Sequence, residues 1–128
     1  MATVIVTDRS SYPTSGNLSS AQTGNGASTN VADRGDAADR PALLKITTTV
    51  GATPTCTYAI EGSADGTNWF SVAYADSATP ETLSVATFAI TTATTVYKIL
   101  RLNHPWRFLR VTYSANTNVT NTADVWMF

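Results

Sequence analysis

From position 42 onward, apolar and polar side chains alternate. In residues 42–50, Leu44, Ile46 and Val50 fall on one face while Leu43, Lys45, Thr47 and Thr49 fall on the other. In 55–62, Cys56, Tyr58 and Ile60 share a face against Thr55, Thr57, Ala59 and Glu61. A period of two sends successive side chains to opposite faces of a strand, and strands with one apolar face belong to antiparallel sheets half-buried on a core. Asp65-Gly66 suits positive φ and predicts a hairpin whose return strand begins at Trp69 or Phe70 and ends near Ala75. Further strands are predicted at 83–91, 95–102, 107–114 and 119–128, with a short β-branched run at 3–7, about eight in all. No stretch carries a helical period, and the abundant Thr and Val penalise helix.

Strands that each bury one face are most simply accommodated by two sheets packed face to face. The expected fold is therefore all-β, an antiparallel β-sandwich of jelly-roll type. In it, 75–83 and 102–107 are long enough to pass between sheets, whereas 65–66 and 115–118 act as tight hairpins. The N-terminal part reads differently. Residues 8–41 are Ser, Thr, Asn, Gly, Ala and Asp with only Tyr12, Leu18 and Val31 as sizeable apolar side chains. Ordering a residue costs about 1 to 2 kcal/mol of backbone entropy, and three anchors at about 1.5 to 3 kcal/mol each do not offset that sum. The sequence thus divides into an N-terminal strand and extended polar arm, residues 1–41, and a sandwich domain, residues 42–128. The arm is expected to be held by a neighbouring subunit or a larger assembly, and its deletion to leave the sandwich folded.

Charge and chemistry narrow the function. Charged residues are 13% of the chain and the net charge is -1, so no basic patch is available to displace counterions from nucleic acid. The start, Met1-Ala2-Thr3-Val4, lacks the basic and long apolar regions of a signal peptide, and no apolar run is long enough to span a bilayer. The expectation is a protein with neither nucleic acid nor membrane as partner. Cys56 is the only cysteine and His104 the only histidine, in the extended or turning Asn103-His104-Pro105-Trp106. An intramolecular disulfide is excluded, Cys56 is expected to pack as a small apolar residue, and no metal or cofactor is expected. The carboxylates read as turn residues with no helical metal motif, and Gly24-Asn25-Gly26 lacks the flanking strand, helix and lysine of a phosphate loop. The expectation is a non-enzyme. Arg34-Gly35-Asp36 spells an adhesion tripeptide that chance and turn chemistry explain.

The stretch Ile60-Glu61-Gly62-Ser63-Ala64-Asp65-Gly66-Thr67-Asn68-Trp69-Phe70-Ser71-Val72, followed by Pro105-Trp106-Arg107-Phe108-Leu109-Arg110-Val111, resembles a pattern in small β-sandwich virion proteins of tailed bacteriophages. The resemblance covers residues 55–128, and its two elements are also similar to pieces of carbohydrate-binding and discoidin-like sandwiches. It implies a head decoration or cement protein: enzyme-free, often trimeric, assembled in the host cytoplasm, seated on the capsid exterior and partnered by the major capsid protein. A cement protein adds interface across seams between capsid subunits and so raises the work of separating them. The residues expected to meet partners are Val4, Ile5 and Val6 by strand addition, Tyr12, Leu18 and Val31 as arm anchors, and Trp106 with Arg107 as an exposed aromatic and its neighbouring cation. Trp69 and Trp126 are expected as core or interface anchors. The competing readings are a carbohydrate- or receptor-binding module that stacks sugars on Trp106, and a tail or fibre component of the particle.

Overall fold

The computed structural model describes residues 2–5, 14–35, 41–100 and 106–127. Eleven strands are described: β1 (Ala2–Ile5), β2 (Thr14–Gln22), β3 (Gly26–Ala27), β4 (Asn30–Asp33), β5 (Ala42–Ser63), β6 (Phe70–Ser71), β7 (Tyr74–Asp76), β8 (Leu83–Ser84), β9 (Phe88–Ala89), β10 (Thr95–Leu100) and β11 (Phe108–Met127). They join one hydrogen-bonded sheet whose main path runs β1-β4-β11-β5-β10-β7-β8. Every pair is antiparallel except β1 with β4. The all-β, antiparallel class is as the alternation predicted.

Two strands carry the architecture. β5 and β11 pair from Phe108 opposite Ser63 to Met127 opposite Ala42, with the register slipping between Ser114 and Val119. At that slip Thr53, Ala115 and Asn118 take positive φ, a conformation that bends a strand without taking it out of the ladder. Asn116 supplies the local hydrogen bonds: its Nδ2 donates to the Val119 carbonyl at 3.0 Å and its Oδ1 accepts from the Val119 N–H at 3.1 Å. The bend folds the sheet over on itself. Tyr58 is registered against Tyr113, yet its hydroxyl donates to Oδ1 of Asn121, eight positions further along β11, at 2.5 Å. In a straight strand those positions would stand roughly 26 Å apart, so the two halves of β11 face each other across the core.

One layer is then β2, the C-terminal half of β11, the N-terminal half of β5, β10, β7 and β8. The other is β1, β4, β3, the N-terminal half of β11, the C-terminal half of β5, β6 and β9. Between them lie Leu44, Ile46, Cys56, Tyr58, Leu109, Val111, Tyr113, Val119 and Val125, all buried. Cys56 packs as an apolar residue, as expected. A polar seam crosses the same space, because the Tyr113 hydroxyl donates to Ser19 Oγ at 2.9 Å and Ser19 Oγ donates to Gln22 Oε1 at 2.8 Å. Burial pushes the Tyr113 hydroxyl up to about 12 and raises that of Tyr58 as well, so both stay neutral donors at ordinary pH.

Four expectations are corrected. The sandwich is not a jelly roll of about eight separate strands, because β5 and β11 each run through both layers; the predicted strands 42–50 and 55–62 are one strand, as are 107–114 and 119–127. Residues 115–118 make the bend in β11, not a hairpin. Residues 77–82 join β7 to β8, its antiparallel neighbour in the same layer; the step from β10 to the N-terminal half of β11 does pass between layers as expected, and the chain also crosses between β6 and β7, β8 and β9, and β9 and β10. Finally, residues 14–35 are not an arm held by another polypeptide: β2, β3 and β4 all pair with β11 of the same chain. Their polarity misled because small side chains and backbone ladder bonds do the work of a large apolar face. Deleting residues 1–41 would strip these strands from β11 and expose Tyr113 and Val111, so a folded remnant is no longer expected.

Candidate interaction surface

The site forms where β4, β5, β6 and β11 end together, and it starts from a glycine. Gly62 lies on the core-facing side of β5, opposite Phe70 and Leu109. A Cβ there would stand 2.5 Å from both Cγ and Cδ1 of Trp106, so the indole lies directly on the backbone. Phe70 stacks on the other side of that indole, with ring centres 5.3 Å apart and an interplanar angle of 15°. Phe70 is 53% exposed and Trp106 half-buried, which leaves an aromatic pair open to solvent at this end of the sandwich.

Charged groups lock the base of the pair. Arg34 is fully buried; its Nη1 donates to the Trp106 carbonyl at 3.0 Å and its backbone N–H to the Arg107 carbonyl at 2.8 Å. Burial at this position removes Arg34 from any exposed adhesion tripeptide. Arg107 donates from Nε to Asp33 Oδ1 at 2.8 Å and from Nη2 to Oδ2 at 3.0 Å, a two-pronged bond between neighbouring strands. Chiefly through that bond, and with help from the Gly35 N–H, the Asp33 carboxyl is held below its ordinary value against the opposing effect of burial. The Arg107 guanidinium also covers the Phe108 ring at 5.2 Å.

The adjoining turn is rigid. Asp65 Oδ1 accepts from the N–H groups of Thr67 and Asn68 at 2.8 and 2.9 Å and from Ser63 Oγ at 2.9 Å, while Gly66 supplies a φ of 78°. These donors, the Asn68 N–H foremost, keep the Asp65 carboxylate far below its usual range. On the outer face beside it, Arg110 covers the Trp69 ring at 4.0 Å and donates to Glu61 Oε1 at 2.9 Å, which also accepts from Thr112 Oγ1 at 2.5 Å. Asp33, Glu61 and Asp65 are thus each engaged by donors of this chain, and among the described residues no cluster of three or more metal-ligating side chains occurs.

The structure brings some of the anticipated residues together and removes others. Trp106 and Arg107 meet at this end, as neighbours of β4. Val4 and Ile5 belong to β1, in register with Ala32 and Asp33 of that same strand. Leu18 and Val31 are 1% and 6% exposed and sit in the core, where no partner reaches them. Val6, Tyr12 and His104 lie outside the described residues. All three tryptophans are half-buried, so Trp106 is not set apart by exposure. Phe70 and Gly62 were missed, although a glycine inside an alternating strand is itself a sign of close approach by another group.

No family model matches the chain, and no curated protein matches it. Among solved structures it is similar to the SPBc2 prophage-derived protein YomS. The two superpose with a TM-score of 0.66 over 90% of this chain and 92% of that one, at 9% sequence identity. That likeness is one of fold. It extends into residues 1–41, the region that the sequence set apart as a strand and arm, because nine-tenths of the chain cannot be covered by residues 42–128 alone.

Proposed function

We propose that this chain is a non-enzymatic structural protein of a bacteriophage particle, a head decoration or cement protein that binds the capsid exterior and bridges subunits of the major capsid protein. The observation that carries the proposal is the fold shared along almost its whole length with a prophage-derived protein. The exposed Phe70–Trp106 pair, pinned by Arg34 and flanked by Arg107, supplies the rigid aromatic anchor that stable interfaces use. β1 ends the strand order beside it and offers an edge for strand addition by a capsid segment.

The test is binding to capsids purified without this protein. The wild-type chain is expected to co-sediment at many copies per particle, and Trp106→Ala with Phe70→Ala to release it. Wild-type protein left in the supernatant would refute the proposal, and three or six copies per particle would move it to the tail or neck. The same exposed aromatic pair favours one second reading, a carbohydrate- or receptor-binding module that stacks a sugar on Phe70 and Trp106. Glycan-array binding lost on Trp106→Ala, with no capsid binding, would establish that reading instead.

A further inference from the structure

The outward face of the first layer carries an apolar row. Registers place Leu83 beside Ala75, Ala75 beside Ile99, Ile99 beside Leu43 and Leu43 beside Trp126, five strands in succession. Their chain neighbours Leu44, Leu100 and Val125 are 1% exposed and point into the core, so this row points the other way. Leu83 is 54% exposed, Ile99, Leu43 and Trp126 are half-buried, and Ala75 between Leu83 and Ile99 is fully buried. A row of large apolar groups on the solvent side of an antiparallel sheet reverses the usual alternation and marks a contact surface.

We propose that this face pairs with the same face of a second copy of the chain about a two-fold axis. Charge arrangement argues for that occupant. Two positions along from the apolar row, Lys45 stands in register with Asp124. Yet Asp124 accepts from Asn17 Nδ2 at 2.8 Å, and no described residue pairs with the Lys45 ammonium. A two-fold axis running along the strands between β5 and β11 sets Leu43 on Trp126 of the second copy and Lys45 on Asp124 of the second copy, each contact made twice. Such self-complementarity is what an isologous interface requires. That axis overlaps β2, β11, β5 and β10 with their counterparts, and four stretches of about six to nine residues at about 4.8 Å spacing give roughly 500 Å², less than the roughly 800 Å² per partner of a standard interface and suited to a weak pair. The same face also carries Tyr97, 38% exposed and in register with Lys45, and Thr47 and Thr95, hydrogen-bonded to each other at 3.3 Å.

The experiment is sedimentation velocity on the full chain from about 1 to 100 μM, a range that spans ordinary dimer affinities. The wild type is expected to dimerise with concentration and Leu43→Glu to remain monomeric. Lys45→Glu should weaken the dimer roughly tenfold or more by setting like charges opposite each other, and Lys45→Glu combined with Asp124→Lys should recover it. Both lysine variants change half-buried side chains of the outer face, and unchanged far-ultraviolet dichroism excludes loss of fold as the cause. A wild type that stays monomeric throughout, a trimer in place of a dimer, or a dimer indifferent to these substitutions overturns the proposal.

Discussion

Replacing Gly62 by alanine tests whether the aromatic surface is seated as described. The φ of Gly62 is not positive, so backbone strain does not enter, and the whole effect comes from the new methyl group. At 2.5 Å from Cγ and Cδ1 and 2.7 Å from Cβ of Trp106, that methyl overlaps the root of the side chain, which cannot swing aside as a flexible tip would. Restoring an ordinary carbon contact of about 3.5 Å requires the indole to move by about 1 Å. The movement spoils the stack with Phe70, a pair of the kind worth about 0.5–1.5 kcal/mol, and pulls on the hydrogen bond from Arg34 to the Trp106 carbonyl. Gly62→Ala should therefore destabilise the protein by about 1–3 kcal/mol, in the range of overpacked cores, measured as a shift of the urea midpoint at unchanged slope. In a Trp106→Ala background the obstacle is gone and the same substitution should cost less than about 0.5 kcal/mol. Equal effects in the two backgrounds would mean that Trp106 does not lie on Gly62, and the reasoning would fail.

Other consequences can be read out independently. Tyr58→Phe removes the donor to buried Asn121 and should cost about 1–3 kcal/mol in urea unfolding, because the amide oxygen is left without that partner. Thr48→Val removes a hydroxyl that donates to the Thr92 carbonyl at 2.7 Å and accepts from the Thr94 N–H at 3.1 Å. It should cost about 1–2 kcal/mol and speed hydrogen exchange in residues 91–94. Thr53→Gly should stabilise by up to about 1 kcal/mol, since a β-branched residue at a φ of 49° gives way to one that adopts it freely. The Asp33 carboxyl is depressed in the folded state, so its contribution is fully present above the unfolded value near 3.8 and is lost as pH falls through the lower folded value. Acid titration of stability should show a drop below about pH 4 that is smaller in Asp33→Asn.

What the sequence revealed depended on which forces left a mark in it. Alternation at 42–50 and 55–62 located Leu44, Ile46, Cys56, Tyr58 and Ile60 in the core, because burial of one face is recorded at every second position, but Val50, next to the bend, is 37% exposed. The bend that makes one strand of these two segments was invisible, since Gly51, Thr53 and Asn118 look like turn residues and only the ladder on both sides shows that pairing resumes. The Asp65-Gly66 turn and the start of its return strand at Phe70 were legible, but the expected run of that strand to Ala75 was not what forms. Phe70 and Ser71 pair with β5, after which Tyr74 joins the opposite layer. Residues 14–35 were hardest. β2 contributes Leu18 to the core and otherwise packs small residues such as Ser19, whose hydroxyl is consumed by Tyr113 and Gln22. Hydrogen bonds of that kind leave no periodic signature.

The relocation of residues 14–35 into the sheet changes how a partner can be held. An arm that orders on binding would charge about 1 to 2 kcal/mol per residue against the affinity. Strands already fixed to β11 incur no such cost, so under the proposed function contact rests on surfaces that exist before the encounter: the Phe70–Trp106 pair and β1, the last described strand of the path. Gly62 and Arg34 hold that pair from below, and Asp33 fixes Arg107 beside it, so little rotamer freedom remains to be lost there. Preorganisation of this sort yields tight attachment from a small aromatic patch. It also predicts where truncation should act. Removing residues 1–13 leaves β2, β3 and β4 on β11 and the sandwich intact, and should weaken binding to capsids only through loss of β1, whereas Trp106→Ala should weaken it with β1 in place. If the truncated chain binds as tightly as the full one, the β1 edge takes no part and the aromatic end alone carries the attachment.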